Sequence, residues 1–325
     1  MTRLLRDAPA EFRALRDATA VRLGTDPRAI EKDYWATEVL RSTVTTSKER
    51  AGLLGALPPT LVFKGGTSLS KAYGLIDRFS EDIDLLVVTD ATGKQLRRVL
   101  RNVADRVTEI LELPATTEHA GRGFLNVRFE TPTVTPAPFL ADGVLLELGT
   151  RGGPEPNGQR TIGSLMAEAA AAIDPPALLE FTDLAMFDIH VLAPVRTLAE
   201  KLAFLHHRAS IHDLDGLRRG TRHLYDVTKV LRDEDVREAL TVNAMQDLMR
   251  DIDARSAAAG WAFTPRPSDG FAASPAFSDR GPKEDVIAIR KALAAGMRDI
   301  EELVRGDLPT VNECLDEVRR WSHLL

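Results

Sequence analysis

The sequence predicts an α/β (α+β) protein of two lobes, in which a small mixed sheet flanked by helices precedes a mainly helical C-terminal lobe. Short apolar runs typical of strands lie near residues 58–195, and after them the pattern is helical to the end. The length of 325 residues suggests one large or two ordinary domains, and 44% hydrophobic residues are enough to bury a core. We therefore expect an α/β lobe with N-terminal helices at 1–195 and a helical lobe at 196–325.

The individual elements follow from apolar spacing and from the residues that interrupt it. Roughly the first 55 residues are predicted to be helical, and Pro27 after Asp26 favours a helix start. "TLVFK" is predicted as a strand, "TSLSKAYGLI" as a helix and "IDLLVV" as a second strand. A helix is predicted over about residues 93–113, followed by strands at "GFLNVRF", "GVLLELG" and "FDIHVLAP".

One segment of the helical half has no helical periodicity. Residues 263–282, "FTPRPSDGFAASPAFSDRGP", are rich in Pro, Gly and Ser and predict a long loop. Loops of this length within a compact protein are commonly lids, binding loops or disordered segments.

Composition and charge narrow the class of protein. The net charge of −6 argues against a protein that simply coats nucleic acid, although Arg196 to Arg232 holds eight Lys/Arg against four Asp/Glu. The single cysteine, Cys314, allows no intramolecular disulfide and indicates a reducing compartment. No window approaches ~18 consecutive apolar residues, and the N-terminus is too charged for a signal peptide. We expect a cytoplasmic protein with no membrane partner.

A glycine pair marks the first candidate site. Gly65 and Gly66 follow the strand "TLVFK" and open a helix, with hydroxyl groups in its first turn at Thr67 and Ser68. Glycines there let the backbone approach a ligand closely, and unpaired N–H groups at a helix start attract phosphate. The pair lacks the Walker sequence, so a tight connection without function is the alternative.

Three carboxylates form the second candidate site. Asp82 and Asp84 in "RFSEDIDLLVV" are two apart on a strand and so share one face, where they could hold a hard divalent cation. The alternative is a solvated strand end with a helix-capping residue at Ser80 or Asp82. Glu147 in "VLLELG" would complete the cluster if its strand lies beside "IDLLVV"; otherwise it is a surface residue on an edge strand.

These residues carry a resemblance to a known family. "GGTSLSKAYGLIDRFSEDIDL" resembles motif I of the DNA-polymerase-β-type nucleotidyltransferases, and more closely the AbiEii/AbiGii group of nucleotidyltransferase toxins, which includes MenT-type toxins. Three further stretches agree in order: "EKDYW", "TLAEKLAFLHHR" and "RHLYDV". The later motif often reads R-D-x-x-D in the family, whereas here His223 follows Arg222. The resemblance implies the two-lobed nucleotidyltransferase fold.

The resemblance also implies roles for individual residues. Lys201 in "AEKLA" would lie at the nucleotide phosphates, and Asp226 in "RHLYDV" near the nucleotide or the acceptor. The metal would be Mg²⁺, two ions being expected, with Mn²⁺ as a substitute. The triphosphate would be cradled by Gly65, Gly66, Thr67 and Ser68, and the metal ligands would be Asp82, Asp84 and Glu147.

Helical spacing gives evidence on the charged residues and the histidines that does not depend on the resemblance. Lys201 and Arg208 are seven apart on one helix, so they share a face. That face would bind the nucleotide by neutralising phosphate charge, and a merely solvated face is the alternative. Asp226 follows Arg222 by four residues, so a local ion pair is its alternative. His206 and His207 are adjacent and point in different directions, which favours phosphate, RNA or surface positions over one shared metal ion.

The function implied by the resemblance is Mg²⁺-dependent transfer of a nucleoside monophosphate from an NTP to the 3′ end of tRNA, with release of pyrophosphate. Such an enzyme would block translation as a toxin and would have a cognate antitoxin as partner. Residues 196–232 and 263–282 would then be RNA-contacting surfaces. The alternative is nucleotidyl or phosphoryl transfer to a protein or a small molecule. A mere binding module would be expected to lose the acids or the glycines, and this chain retains them.

Overall fold

Seven strands form one mixed sheet within the residues that the structure, a computed structural model, describes: 3–45, 60–79, 82–132 and 141–325. The order across the sheet is β3-β4-β5-β2-β1-β7-β6. β2 runs parallel to β5, and β1 runs antiparallel to β2. The strands are β1 Thr60–Lys64, β2 Asp82–Val88, β3 Ala115–Gly121, β4 Phe124–Phe129, β5 Val144–Gly149, β6 Asn157–Ile162 and β7 Phe187–Leu192.

Thirteen α-helices lie in the described residues, six of them before the last strand. Those six are α1 Pro9–Leu23, α2 Pro27–Val44, α3 Gly65–Lys71, α4 Gly93–Leu111, α5 Leu165–Ile173 and α6 Ala177–Glu180. The later seven are α7 Pro194–Ser210, α8 Leu214–Arg219, α9 Thr221–Arg232, α10 Glu234–Ala239, α11 Val242–Ala258, α12 Lys283–Asp299 and α13 Val311–Arg320. The predicted α/β class, with a mixed sheet followed by helices, is confirmed.

The chain divides into two units. The sheet unit comprises Met1–Ala72, Phe79–Thr150 and Asn157–Val191, and the helical unit comprises Tyr73–Arg78, Arg151–Pro156 and Leu192–Leu325. Two short segments of the first half of the chain therefore belong to the helical unit. The lobe boundary predicted between residues 195 and 196 stays a prediction.

The sheet has one apolar face and one polar face because apolar residues alternate along its strands. Ile83 and Leu85 on β2, like Leu146 and Leu148 on β5, are almost completely buried. α2 and α4 pack on this face, and α4 presents an apolar stripe that includes Leu100, Val103 and Val107. The alternate positions of β2 and β5, which hold the candidate acids, face the other way.

Two strands were not predicted from the sequence. β3 pairs with β4 at one edge of the sheet, and its residues are exposed along nearly its whole length. β6 lies at the other edge beside β7, where Thr161 donates a hydrogen bond to Asp188 at 2.5 Å. Both sequences are polar, so their extended form comes from pairing with a neighbour rather than from apolar alternation.

In the helical unit, the predicted loop at 263–282 contains no α-helix or strand, only a 3₁₀ turn at Phe271–Ala273. The loop is nevertheless packed, because Phe271 and Phe277 are fully buried. His206 on α7 holds it from two sides: Nδ1 lies 2.9 Å from Ser274 Oγ, and Nε2 lies 3.0 Å from the carbonyl oxygen of Pro265. His206 is 4% exposed, so the surface position, one of the three positions that the sequence left open for it, is wrong.

No helix in the described part of the chain combines the length and the apolarity that a bilayer span requires.

Candidate active site

The three predicted acids share the polar face of the sheet. β5 runs parallel beside β2, and Asp84 is directly in register with Glu147. Asp82 stands two residues before Asp84 on the same strand and therefore on the same face. All three residues are only partly exposed. The condition under which Glu147 joins the cluster, that its strand neighbours "IDLLVV", is met.

An amide extends this row of acids onto a third strand. Asn126 of β4 is in register with Glu147, and its Nδ2 donates a hydrogen bond to Glu147 Oε1 at 2.6 Å. A carboxylate that accepts such a bond is restricted in orientation. Sequence reasoning missed Asn126, because only the strand order shows that "FLNVRF" lies beside "VLLELG".

The donor set of the three acids fits a hard divalent cation in its chemistry. Mg²⁺ and Mn²⁺ prefer carboxylate oxygen, and like charges in register on neighbouring strands repel one another unless a cation lies between them. In the described part of the chain, no three His, Cys, Asp or Glu side chains form a group that could hold a metal ion as they stand. Binding by all three acids therefore requires a side chain to rotate.

The glycine turn meets the acids at Gly65. Its backbone has φ of +83°, a left-handed conformation that side chains other than glycine rarely adopt. A Cβ atom added at Gly65 would overlap the carboxylate of Asp84. Both the backbone conformation and the lack of space for a Cβ atom therefore favour glycine at this position. The start of α3 lies directly against Asp84, the predicted metal ligand.

The two hydroxyl groups of the turn already have acceptors in the backbone. Thr67 Oγ1 donates to the carbonyl oxygen of Asp82 at 2.6 Å, and Ser68 Oγ donates to that of Gly65 at 2.9 Å. Both side chains are buried, as is Gly66. Thr67 therefore ties the first turn of α3 to the beginning of β2. The role of these residues in cradling a triphosphate stays a prediction.

An ion pair holds the other end of α3. Lys71 Nζ lies 2.6 Å from Asp33 Oδ1, and Asp33 Oδ2 accepts a hydrogen bond from the backbone N–H of Leu165 at 2.7 Å. The pair links α2, α3 and the start of α5. Asp33 belongs to "EKDYW", a motif that the sequence left without a role. Its neighbour Lys32 donates to the carbonyl oxygen of Ala141 at 2.6 Å.

In the helical unit, Asp226 lies at the centre of a buried charge cluster. Arg78 binds it with two hydrogen bonds of 2.7 Å each, and Lys201 Nζ lies 2.8 Å from its Oδ2. Asp226 is fully buried, and Arg78 and Lys201 are 4% and 6% exposed. Both carboxylate oxygens are thus in use, by two cations other than the nearby Arg222 that the spacing indicated as a partner.

Burial and charge act in opposite directions in this cluster. Burial would raise the pKa of Asp226, but Arg78 and Lys201 outweigh it and hold that pKa below its usual value. Burial lowers the pKa of Lys201, and Asp226 offsets only part of that effect. Arg78 was not predicted as a member of the site, because nothing local in the sequence pairs it with a residue far along the chain.

Arg208 lies on α7 with Lys201 but has other partners. Its Nη1 lies 2.7 Å from Asp213 Oδ2, and its guanidinium stands over the ring of Phe204 at 5.2 Å from the centroid. Its side chain is 37% exposed. Each of the two predicted cations therefore contacts a carboxylate, and Lys201 shares its carboxylate with Arg78. Contact of Arg208 with a nucleotide stays a prediction.

Comparison with known proteins identifies the family. The model of the nucleotidyl transferase AbiEii toxin family, of type IV toxin–antitoxin systems, matches residues 52–317. Because this match spans most of the chain, the protein belongs to the AbiEii family of nucleotidyl transferase toxins. The resemblance seen in the sequence is confirmed at that level, and a MenT-like specificity stays a prediction. No curated protein matches the chain.

Two solved structures from Helicobacter pylori are also similar. JHP933 is 14% identical, with 84% of this chain and 94% of that one covered, at a TM-score of 0.37. A protein described as a candidate nucleotidyltransferase is 14% identical, with 66% and 94% covered, at a TM-score of 0.28. Scores this low do not establish a shared fold, so the assignment rests on the family match.

Proposed function

We propose that the protein is a Mg²⁺-dependent nucleotidyltransferase toxin that transfers a nucleoside monophosphate from an NTP to the 3′ end of tRNA, releasing pyrophosphate. The observation that carries the proposal is the register of Asp84 with Glu147, with Asp82 on the same face and Gly65 against Asp84. Membership of a nucleotidyl transferase toxin family supports it. The same membership supports an antitoxin as the partner.

Asp82, Asp84 and Glu147 would hold the divalent ions, two of Mg²⁺ or, as a substitute, Mn²⁺. Bound there, the metal would supply charge neutralisation at the phosphates and activation of the acceptor hydroxyl. Asn126 would keep Glu147 in one orientation while the other carboxylates adjust. Gly65 would keep the space at Asp84 free of side-chain atoms.

The remaining roles concern the phosphates and the acceptor. At the start of α3, the hydroxyl groups of Thr67 and Ser68 donate to the backbone, so we propose that backbone N–H groups meet the triphosphate there. Lys201 matches the family's second-motif lysine, and we propose that it contacts the nucleotide phosphates. The excess of Lys and Arg between residues 196 and 232 supports a polyanionic acceptor such as tRNA.

The test uses purified protein, total tRNA, Mg²⁺ and each α-labelled NTP in turn. We expect label on tRNA with one or two of the NTPs, and a loss of at least about 100-fold in Asp84→Asn, because a ligand to the metal is removed. Asp90→Asn is the matched control, since this exposed acid follows the same strand outside the site. Absence of label on any RNA would reject tRNA and direct the assay to protein and small-molecule acceptors. Equal labelling by Asp84→Asn would reject the site.

A further inference from the structure

His223 stands where the family's motif often has an aspartate, and it contacts the lysine of the site. Its Nδ1 lies 3.1 Å from Lys201 Nζ. We infer that His223 is a positioning residue, which accepts a hydrogen bond from the Lys201 ammonium and, being neutral, leaves the charge of that ammonium available to a phosphate. The second half of this inference rests on the proposed function, whereas the first concerns geometry alone.

The chemistry of the two groups determines their protonation. A lysine ammonium has donors and no acceptor, so Nδ1 of His223 must accept and the ring proton must lie on Nε2. A protonated imidazole would direct a second N–H at the ammonium. Burial holds the pKa of His223 well below its ordinary value, and the Lys201 charge lowers that pKa further. Both effects keep the ring neutral.

Packing holds the imidazole in the orientation that this hydrogen bond requires. The ring of Phe204, on α7, meets the His223 ring edge to face at a centroid distance of 4.7 Å. A Cβ atom added at Gly220 would overlap the Phe204 ring, so the glycine makes room for that ring. The orientation of His223 therefore depends on close contacts from α7 and from the residue that precedes α9.

The charges around Lys201 explain why a neutral acceptor matters. Asp226 is the carboxylate that contacts its ammonium, and Arg78 occupies both oxygens of the same carboxylate. Arg222 and Arg78 add positive charge near Lys201 and His223. One carboxylate thus serves two buried cations. An aspartate at position 223 would place a second carboxylate against Lys201 and offset the ammonium charge that favours an anion.

The first measurement is the tautomer and titration of His223 by long-range ¹H–¹⁵N NMR of the full chain, with His223→Asn used to assign the signal. We expect a neutral ring with its proton on Nε2 and a pKa well below the value near 6.5 at which an exposed histidine titrates. A proton on Nδ1, or an ordinary titration, would overturn the inference. This measurement requires no nucleotide, so it tests the hydrogen bond between Lys201 and His223 whether or not the proposed function is correct.

The second measurement is binding of inorganic tripolyphosphate with Mg²⁺ to two variants. His223→Asn keeps a neutral acceptor, so its affinity should stay within about threefold of the original, whereas His223→Asp should bind about tenfold more weakly. His323→Asp, the same change at an exposed histidine, controls for added charge. Equal affinities of the Asn and Asp variants would overturn the charge argument. If the unaltered protein binds no tripolyphosphate, the proposed phosphate role of Lys201 is wrong. The NMR measurement of the His223 tautomer then decides by itself whether His223 positions Lys201.

Discussion

The sheet unit and the helical unit place charge in opposite ways. On the sheet, Asp82, Asp84 and Glu147 gather like charges on one partly exposed face, with Asp84 and Glu147 in register. In the helical unit, Asp226 is buried between two cations that contact both of its oxygens. The first arrangement sets like charges beside one another and attracts a cation, and the second is stable only while each partner is present. The comparison separates a face that we propose for cation binding from a cluster whose members also hold each other in place.

The largest effect is expected from Asp226→Asn. Removing one partner of a buried cluster leaves Arg78 and Lys201 with charges that are no longer balanced, which should lower the free energy of unfolding by about 3–5 kcal/mol. Urea denaturation of this variant beside Asp235→Asn, an exposed acid of α10, provides the measurement and its control. A loss of less than about 1 kcal/mol would contradict the structural role of the cluster.

The pH dependence of that loss follows from the lowered pKa of Asp226. A carboxyl group whose pKa is lower in the folded state contributes stability above its unfolded value of about 3.9 and loses it as the pH falls toward the folded value. The difference between the unaltered protein and Asp226→Asn should thus be equal at pH 7 and pH 5 and should shrink only below about pH 4. A difference that disappears by pH 5 would mean that the carboxylate is not held in its charged form.

A smaller effect is expected from Gly65→Ala on the sheet. Positive φ costs an alanine about 1–2 kcal/mol, and its Cβ would also displace the Asp84 carboxylate. Gly24→Ala is the matched control, because Gly24 has φ of +59° and open space where the Cβ would lie. Both variants should lose stability in urea, but only Gly65→Ala should lose divalent-ion binding. Equal ion binding by the two variants would contradict the contact between the turn and the acid.

The smallest of these effects is expected from Asn126→Ala. Residues that orient a metal ligand typically change metal affinity by 10–100-fold, and loss of the 2.6 Å bond to Glu147 should give about a tenfold loss of Mn²⁺ affinity. Gln159→Ala, an amide on strand β6 of the same sheet, should leave the affinity unchanged. An unaltered Mn²⁺ affinity in Asn126→Ala would show that Glu147 needs no orientation from β4.

The sequence predicted those features that depend on local periodicity. Apolar alternation indicated β2 and β5, and it placed Asp82 and Asp84 on one face. It could not indicate β3 or β6, whose polar residues are extended only because a neighbouring strand pairs with them. The predicted ends of strands and helices differ from the observed ends for the same reason, since pairing and packing decide where an element ends.

The sequence could not predict hydrogen bonds and ion pairs between residues that are far apart in the chain. Arg78 and Asp226 are 148 positions apart, and Asn126 meets Glu147 only because β4 lies beside β5. Such pairs depend on strand order and helix packing, which no local pattern specifies. Motif resemblance singled out Lys201 and Asp226 as important, but it did not show that they bind each other.

Mn²⁺ binding tests the central claim most directly, namely that the acids on the sheet face are arranged for a divalent cation. Electron paramagnetic resonance of Mn²⁺ titrated with the full chain should show saturable binding, strongly weakened in Asp84→Asn and unchanged in Asp90→Asn. Without metal, the thermal unfolding temperature of Asp84→Asn should change little, because the substitution removes a like-charge neighbour of Glu147 and an opposite-charge neighbour of Lys64 together. Equal Mn²⁺ binding by Asp84→Asn, or a large loss of stability in that variant without metal, would contradict the account.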